Sequence, residues 1–359
     1  MLRCRPGPED ERQDVEMTAL TTEHTAPMTC ARRVSVIVPC HNRLGMLRDT
    51  LEGLLEQTFP ASELEVILVD STSTEPVERL ADEYASRAPF PVRYLRFPDL
   101  HGPVEKRNRG ARAAVGEVLA FTDSDCRPTP GWLAAGLAAF SQPEIALVSG
   151  PVTYKPQQSR SFLSKLSAEA LVEHPTYPTA NVFYRRDVFM QFGGFDTSLE
   201  VRDMLGRATE CADTDLAWRV MKSGLRNRFA PEALVFHEVE NLTLFQWLME
   251  PTRLILLPML LRLHPEVRAR LLWRGTVFDW HTLPFYALLV YVPLALAIAP
   301  VALLALPIVF LGLGLRRAGT LRPSPLLNAL REVTLNTARI GVMALTLITG
   351  SIRYGSIVL

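Results

Sequence analysis

The sequence predicts an α/β protein with a mostly parallel sheet, helices on its flanks and further apolar helices towards the C-terminal end. Three observations carry that reading. Short β-branched and apolar runs alternate with stretches of helical periodicity through the first half of the chain. Those runs stop at a proline, an aspartate or a turn cluster. Charged residues are plentiful in the first 280 positions and absent between Thr282 and Leu315.

Taken in order, Val34 to Val38 (VSVIV) reads as a buried strand ending at Pro39. Leu44 to Gln57 carries Leu44, Leu47, Leu51, Leu54 and Leu55 at helical spacing. Glu65 to Val69 is a second strand, closed by Asp70 and the turn Ser71-Thr72-Ser73-Thr74. Pro76 to Ala88 forms the next helix, and Val92 to Phe97 a third strand. Val104 to Val115 is helical up to Gly116 and leads into the strand Val118-Leu119-Ala120-Phe121. Ala146 to Thr153 and Thr179 to Tyr184 read as later strands. Leu216, Ala217 and Val220 share a helix face, which puts Asp213 and Asp215 in a first turn. Parallel sheets of this kind bind ligands outside the carboxyl ends of their strands, where Pro39, Asp70 and Asp123 fall.

Composition narrows the function. A chain of 359 residues holds one large domain or two medium ones with ample core. Lys+Arg and Asp+Glu are balanced at 38 each, which argues against a nucleic-acid binder. Five scattered cysteines without zinc spacing read as reduced thiols. Residues 1–32 are polar and read as a disordered leader. Neither a G-x-G-x-x-G fingerprint nor a Walker A sequence is present.

The chemistry gathers around AFTDSDCRPTP (120–130). On an extended backbone Asp123 and Asp125 point to one side, and two carboxylates there call for a cation such as Mg2+. The plainer alternative is a capped, solvated turn. Lys106, Arg107 and Arg109 lie at a helix start, a place that suits a diphosphate, or else form a solvated basic face. Asp213 and Asp215 either complement the helix dipole or supply a general base.

Five pieces in order, VSVIVPCHNR (34–43), EVILVDSTS (65–73), GPVEKRNRGARAAVGEVLAFTDSDC (102–126), NVFYRRDVFMQFGGFD (181–196) and ADTDLAWRVMKSG (212–224), resemble the family-2 glycosyltransferases of the GT-A fold. The resemblance covers residues 33–240. It implies a Rossmann-like catalytic domain that moves a sugar from a nucleoside-diphosphate sugar to a hydroxyl acceptor with inversion. Asp213 falls where that family has its catalytic base. Pro39 and Asp70 match the floor and edge of the nucleotide-base pocket, and Arg107 the basic residue near the diphosphate. Asn108 matches a residue that holds the helix start. Asp123 is similar to the aspartate that contacts the ribose and assists the metal, and Asp125 to the one that ligates it. His237 matches a late histidine near metal or diphosphate, its alternative being a hydrogen-bonded surface residue. The implied cofactor is Mg2+ or Mn2+.

Two departures stand out. Ala212 occupies the place of the usual Glu before the base, and Glu210 either supplies the missing carboxylate or none is there. The Q-x-x-R-W motif of processive synthases is missing, since Gln246-Trp247 runs on to Leu248-Met249, which implies one sugar per encounter. A sugar-phosphate nucleotidyltransferase would open with a Gly-rich loop where this chain has Pro39-Cys40-His41-Asn42. A non-catalytic sugar-nucleotide-binding scaffold is the other alternative, motivated by Ala212.

Towards the C-terminal end, Leu242 to Leu263 within 241–280 predicts an amphipathic helix lying on a membrane surface. The uncharged run Thr282 to Leu315, within 281–359, is about 50 Å long as one helix, more than a bilayer core needs, with Pro300 near its middle. It predicts one tilted span or a broken hairpin. Arg262, Arg268, Arg270 and Arg274 before it, and Arg316, Arg317 and Arg322 after it, favour a hairpin with both ends cytoplasmic. Ile340 to Ile352 is a third apolar run. A buried soluble helix pair is the alternative. The expectation is a membrane protein whose catalytic part works at the cytoplasmic leaflet on a lipid-linked or saccharide acceptor, such as a glycolipid or cell-surface polysaccharide precursor.

Overall fold

The computed structural model describes residues 33–100, 102–165, 169–203, 205–319 and 323–359. The expected leader 1–32, His101 and Arg322 lie outside the described residues. The strands are β1 (Val34–Pro39), β2 (Leu64–Asp70), β3 (Val92–Arg96), β4 (Val118–Phe121), β5 (Cys126–Pro128), β6 (Ile145–Ser149) and β7 (Val152–Tyr154). They continue with β8 (Ser164–Lys165), β9 (Val182–Arg185), β10 (Glu200–Arg202), β11 (Ala208–Glu210), β12 (Arg226–Phe229), β13 (Val235–His237) and β14 (Glu240–Asn241). The α-helices are α1 (Leu44–Leu55), α2 (Val77–Arg87), α3 (Pro103–Ala113), α4 (Trp132–Ala138), α5 (Arg186–Gln191) and α6 (Ala212–Lys222). Later come α7 (Leu244–Met249), α8 (Leu257–Leu263), α9 (Arg268–Leu271), α10 (Leu283–Ile298), α11 (Ala305–Ala318) and α12 (Pro323–Tyr354).

Seven strands form the central sheet in the order β12-β6-β9-β4-β1-β2-β3. All run parallel except β9, which is antiparallel to both β4 and β6. Every residue of β1, β2 and β4 is buried, as expected for strands covered on both faces. Val36 and Val38 pack with Leu47, Leu51 and Leu54 of α1 on one face. Ile37 and Phe121 pack with Leu216, Leu260 and Leu261 on the other. Helix α3 lies tightly on that second face because Gly110 has no side chain. A Cβ there would come 2.6 Å from Ile37 Cγ2. Gly110→Ala is therefore expected to cost about 1–3 kcal/mol despite its better helix propensity, read as a lowered melting temperature.

Several sequence expectations need correction. Ala146 to Thr153 is two strands, not one, because Gly150 and Pro151 end β6. An added Cβ on Gly150 would lie 2.2 Å from Ala233 O. Strand β7 instead joins β13 and β5 in a separate small sheet. Cys126–Pro128 is thus a short strand paired with β13. Thr179 to Tyr184 begins as a 3-10 turn, Thr179–Asn181, and β9 starts at Val182. Asn181 uses its side chain to donate to Pro151 O (2.9 Å) and Ala233 O (2.7 Å) and to accept from Trp132 Nε1 (2.8 Å).

The expected surface helix Leu242 to Leu263 is broken by prolines into α7, a 3-10 stretch Glu250–Leu256 and α8. Leu244, Phe245 and Leu263 are exposed, but most of its apolar residues face inwards. Trp247, Leu256, Leu257, Leu260 and Leu261 are buried, the leucines in the core beneath the sheet. Helix α12 closes over this segment: a Cβ on Gly350 would come 2.7 Å from Ile255 O. The run Ile340 to Ile352 is thus the end of a 32-residue helix. Thr282 to Leu315 is broken, as one expectation had it, into α10, a 3-10 turn Pro300–Leu304 and α11. The partner of α11 is α12, where Gly314 lets Leu330 approach closely.

Candidate active site

The carboxyl ends of β1, β2 and β4 open into a cleft of about 680 Å3. Its walls include Pro39, Cys40 and His41 from the end of β1, Ser71 and Thr72 from the end of β2, and Asp123-Ser124-Asp125 after β4. Asp213, His237, Lys106 and Arg107 also line it. Six of the eight residues singled out from the sequence therefore meet in one cavity: Pro39, Arg107, Asp123, Asp125, Asp213 and His237. Asp70 and Asn108 stand behind its wall.

Asp70 is buried with both oxygens engaged. Oδ1 accepts from Ser71 N (2.7 Å) and Ser73 Oγ (2.6 Å), and Oδ2 from Tyr94 Oη (2.8 Å). It shapes the turn that carries Ser71 and Thr72 and does not itself reach into the cleft. Asn108 is a brace. Its Oδ1 accepts from Phe195 N (3.0 Å) and its Nδ2 donates to Phe195 O (2.8 Å), tying α3 to the Gly193-Gly194 turn.

The two aspartates after β4 part company, contrary to the extended geometry expected for them. The backbone turns there, with Cys126 N bonded to Asp123 O at 3.1 Å. Asp123 Oδ1 accepts from Arg107 Nη2 at 2.7 Å. Arg107 donates on its other side to Glu210 Oε1 and is 3% exposed. Its guanidinium thus sits in the cleft wall clamped between two carboxylates, with both Nη groups already donating. Glu210 comes from the preceding strand β11, and its charge lies near Asp213. The start of α3 is likewise taken: Glu200 Oε2 accepts from Val104 N at 3.0 Å. Lys106 donates from Nζ to Cys40 O at 2.7 Å. Arg109 bonds Glu105 Oε1 through Nε at 2.9 Å.

Asp125 faces a different set. His237 Nε2 lies 3.7 Å from its Oδ1, and Arg43 Nη1 3.4 Å from its Oδ2. His237 Nδ1 sits 2.8 Å from Glu238 O, which orients the ring with Nε2 towards Asp125. Among the described residues, donor atoms of Asp125, Cys126 and His237 lie within 4.8 Å of one another. Burial and the neighbouring Asp125 push the Cys126 thiol well up, and a soft sulfur ligand is a poor match for Mg2+ or Mn2+. Carboxylate oxygen and imidazole nitrogen remain, a pair that fits a Mn2+-like divalent cation with open positions for a ligand.

Asp213 starts α6 and half-faces the cleft. Its Oδ1 accepts from Thr214 N at 2.7 Å. Burial and then the nearby Glu210 charge push its carboxyl up to about 7. Asp215, one helical step on, is a structural hub. It accepts from Arg219 Nε (2.7 Å) and contacts His264 Nε2 (2.9 Å). Burial acts to raise its pKa, but these two partners hold it below the usual carboxylate range.

Arg43, Glu200 and Glu240 were not among the residues singled out. Arg43 donates from Nη2 to Glu240 Oε1 at 3.0 Å, linking the start of α1 to β14 across the cavity. No spacing in the sequence pairs residues so far apart.

Comparison with known proteins agrees with this geometry. Residues 35–195 match the family described as Glycosyl transferase family 2, and residues 118–313 match Glycosyl transferase family group 2. Pre-mycofactocin glycosyltransferase of Mycobacterium tuberculosis (strain ATCC 25618 / H37Rv) is 32% identical over 221 residues, covering 58% of this chain and 43% of that protein. Glycosyltransferase AglE of Haloferax volcanii is 30% identical over 173 residues, covering 46% of this chain and 57% of that protein. The chain thus spans about half the length of these curated relatives. Among solved structures, mannosyltransferase PcManGT from Pyrobaculum calidifontis, in complex with GDP-Man and Mn2+, superposes with a TM-score of 0.53 at 20% identity, covering 92% of this chain and 89% of that one. That likeness is one of fold. The second family match alone spans more than half of the chain, which therefore belongs to the family-2 glycosyltransferases, on a GT-A fold.

Proposed function

We propose that the protein transfers one sugar residue from a nucleoside-diphosphate sugar to an acceptor hydroxyl, with inversion and without processive extension. The observation that carries this reading is Asp213: a carboxyl of raised proton affinity at the rim of a cleft that also holds Asp125 and His237. In the proposed reaction Asp213 takes the acceptor proton as the hydroxyl oxygen attacks the anomeric carbon. The bond from that carbon to the diphosphate breaks, and the nucleoside diphosphate leaves from the opposite face. Asp125 and His237 would hold the divalent ion, Mg2+ or Mn2+, which when bound supplies positive charge to the departing diphosphate. Pro39, Ser71 and Thr72 would wall the base, with Asp70 positioning their turn. Asp123 would meet the ribose while fixing Arg107.

The C-terminal helices extend the proposal. Trp280–Ile298 and Pro323–Tyr354 are long and apolar enough to cross a membrane. Val290, Ile298, Val301 and Ile308 are exposed. The reading is a membrane-bound enzyme with its catalytic domain, 33–240, on the cytoplasmic side and an acceptor delivered at the bilayer, lipid-linked or saccharide in nature. Residues 241–280 would then join the domain to 281–359.

Calorimetric titration of the detergent-purified full chain with UDP, GDP, CDP and ADP, with and without Mn2+, tests the site. One diphosphate is expected to bind in the presence of Mn2+, and Asp125→Ala to weaken it at least tenfold. Binding of none of the four under either condition would remove the support for this function. The GDP-Man and Mn2+ in PcManGT make GDP with Mn2+ the first pair to try.

A further inference from the structure

The cations that the sequence offers for a diphosphate are otherwise engaged. Arg107 is buried between Asp123 and Glu210. Lys106 serves Cys40 O, Arg109 serves Glu105, and Glu200 caps the start of α3. Arg43 differs from all of these. Its side chain is 44% exposed, lines the cleft and rests on Asp125, beside the proposed metal ligands.

Its backbone is held in an uncommon shape. Asn42 and Arg43 are both left-handed, with φ of 54° and 62°. Such a pair in non-glycine residues is costly and persists only where the surroundings fix it. Here the loop after β2 fixes it. Asn42 N donates to Ser73 Oγ (2.7 Å), while Asn42 Oδ1 accepts from Thr74 N (2.8 Å) and Glu75 N (3.1 Å). Leu44 N donates to Glu75 Oε2 at 2.9 Å. The strained turn aims a long cation across the mouth of the cavity.

We infer that Arg43 is the side chain that binds the diphosphate of the donor and of the leaving nucleotide. The inference rests on the proposed reaction. Arg43 bridges Asp125 and Glu240, so its cation shares a carboxylate with the proposed metal. With a divalent cation held by Asp125, like-charge repulsion would turn the Arg43 guanidinium away, and its fork would match phosphate oxygens in pairs. Arg43 is therefore a rival of the bare metal ion and an ally of the metal–diphosphate complex.

That double role gives a signature with two signs. Arg43→Asn keeps a residue that tolerates the left-handed turn and removes the cation. Calorimetry should show roughly 10- to 100-fold weaker binding of the preferred nucleoside diphosphate with Mn2+, and a change below about twofold for the matching monophosphate. Electron paramagnetic resonance of free Mn2+ should show the bare ion binding to the variant as well as or better than to the unaltered protein. Arg43→Lys should fall between the two, since it keeps the charge and loses the fork. Equal losses for mono- and diphosphate, or an unchanged diphosphate affinity, would overturn the assignment while leaving the proposed function standing. The same holds if Arg202→Gln, on another wall of the cleft, produces the diphosphate-specific loss instead. If the unaltered protein binds no nucleotide, both readings fall.

Discussion

Asp213→Asn is expected to lower sugar transfer by about 10²- to 10⁴-fold, the usual range for a lost general base, with nucleoside-diphosphate affinity unchanged. A steady-state assay paired with calorimetry separates the two effects. A pH profile adds an independent mark. In the unaltered protein kcat/KM should rise through a limb near pH 7, where Asp213 loses its proton, and the variant should lack that limb. Stability should move the other way. The folded carboxyl holds its proton up to about pH 7, whereas the unfolded one releases it near the ordinary value of 3.8. Between those values the folded state binds more protons, so the stability of the unaltered protein falls as pH rises through this window. Above it, Asp213→Asn should melt higher than the parent, and the two should converge near pH 4. Full activity of the variant at every pH would remove Asp213 from the reaction.

The largest structural effect is expected at Arg107. Arg107→Met fills much of the same space but leaves Asp123 and Glu210 facing each other across the cleft floor with no cation between them. Breaking a buried ion pair from one side typically costs about 3–5 kcal/mol. For a domain of this size that corresponds to a fall in melting temperature of roughly 10 °C or more. Adding Glu210→Gln to Arg107→Met should recover part of the loss, because it removes one of the stranded charges. A double variant that melts no higher than the single one would show that the clamp is not electrostatic.

Much of this architecture could be read from residue patterns. Strands β1, β2 and β4 are apolar because both of their faces are covered, and such runs need no tertiary information to be recognised. Asp123, Asp125 and Asp213 were legible because they stand at strand and helix ends, where the fold presents side chains to a ligand. What could not be read is direction. Asp70 turns inwards onto Tyr94, a partner 24 positions away. Arg107 was legible as a cation but not as one enclosed by Glu210, which comes from another strand. The left-handed turn that aims Arg43 is set by hydrogen bonds between Asn42 and Ser73, Thr74 and Glu75. In the segment after β14, amphipathic periodicity was real, and Leu256, Leu257, Leu260 and Leu261 of its apolar face pack into the protein's own core beside α12. Periodicity tells which face is covered and not by what.

The way α12 closes over residues 250–263 has a practical edge. Cutting the chain after α9 to obtain a water-soluble catalytic head would not part a globule from its tether. It would strip a lid from Leu256, Leu257, Leu260 and Leu261, which belong to the same core as Ile37 and Phe121 beneath the sheet. The exposed leucines would invite aggregation, and the 3-10 stretch bearing Glu250 and Arg253 at the cleft wall would lose its backing. The sheet domain and α12 fold here as one body.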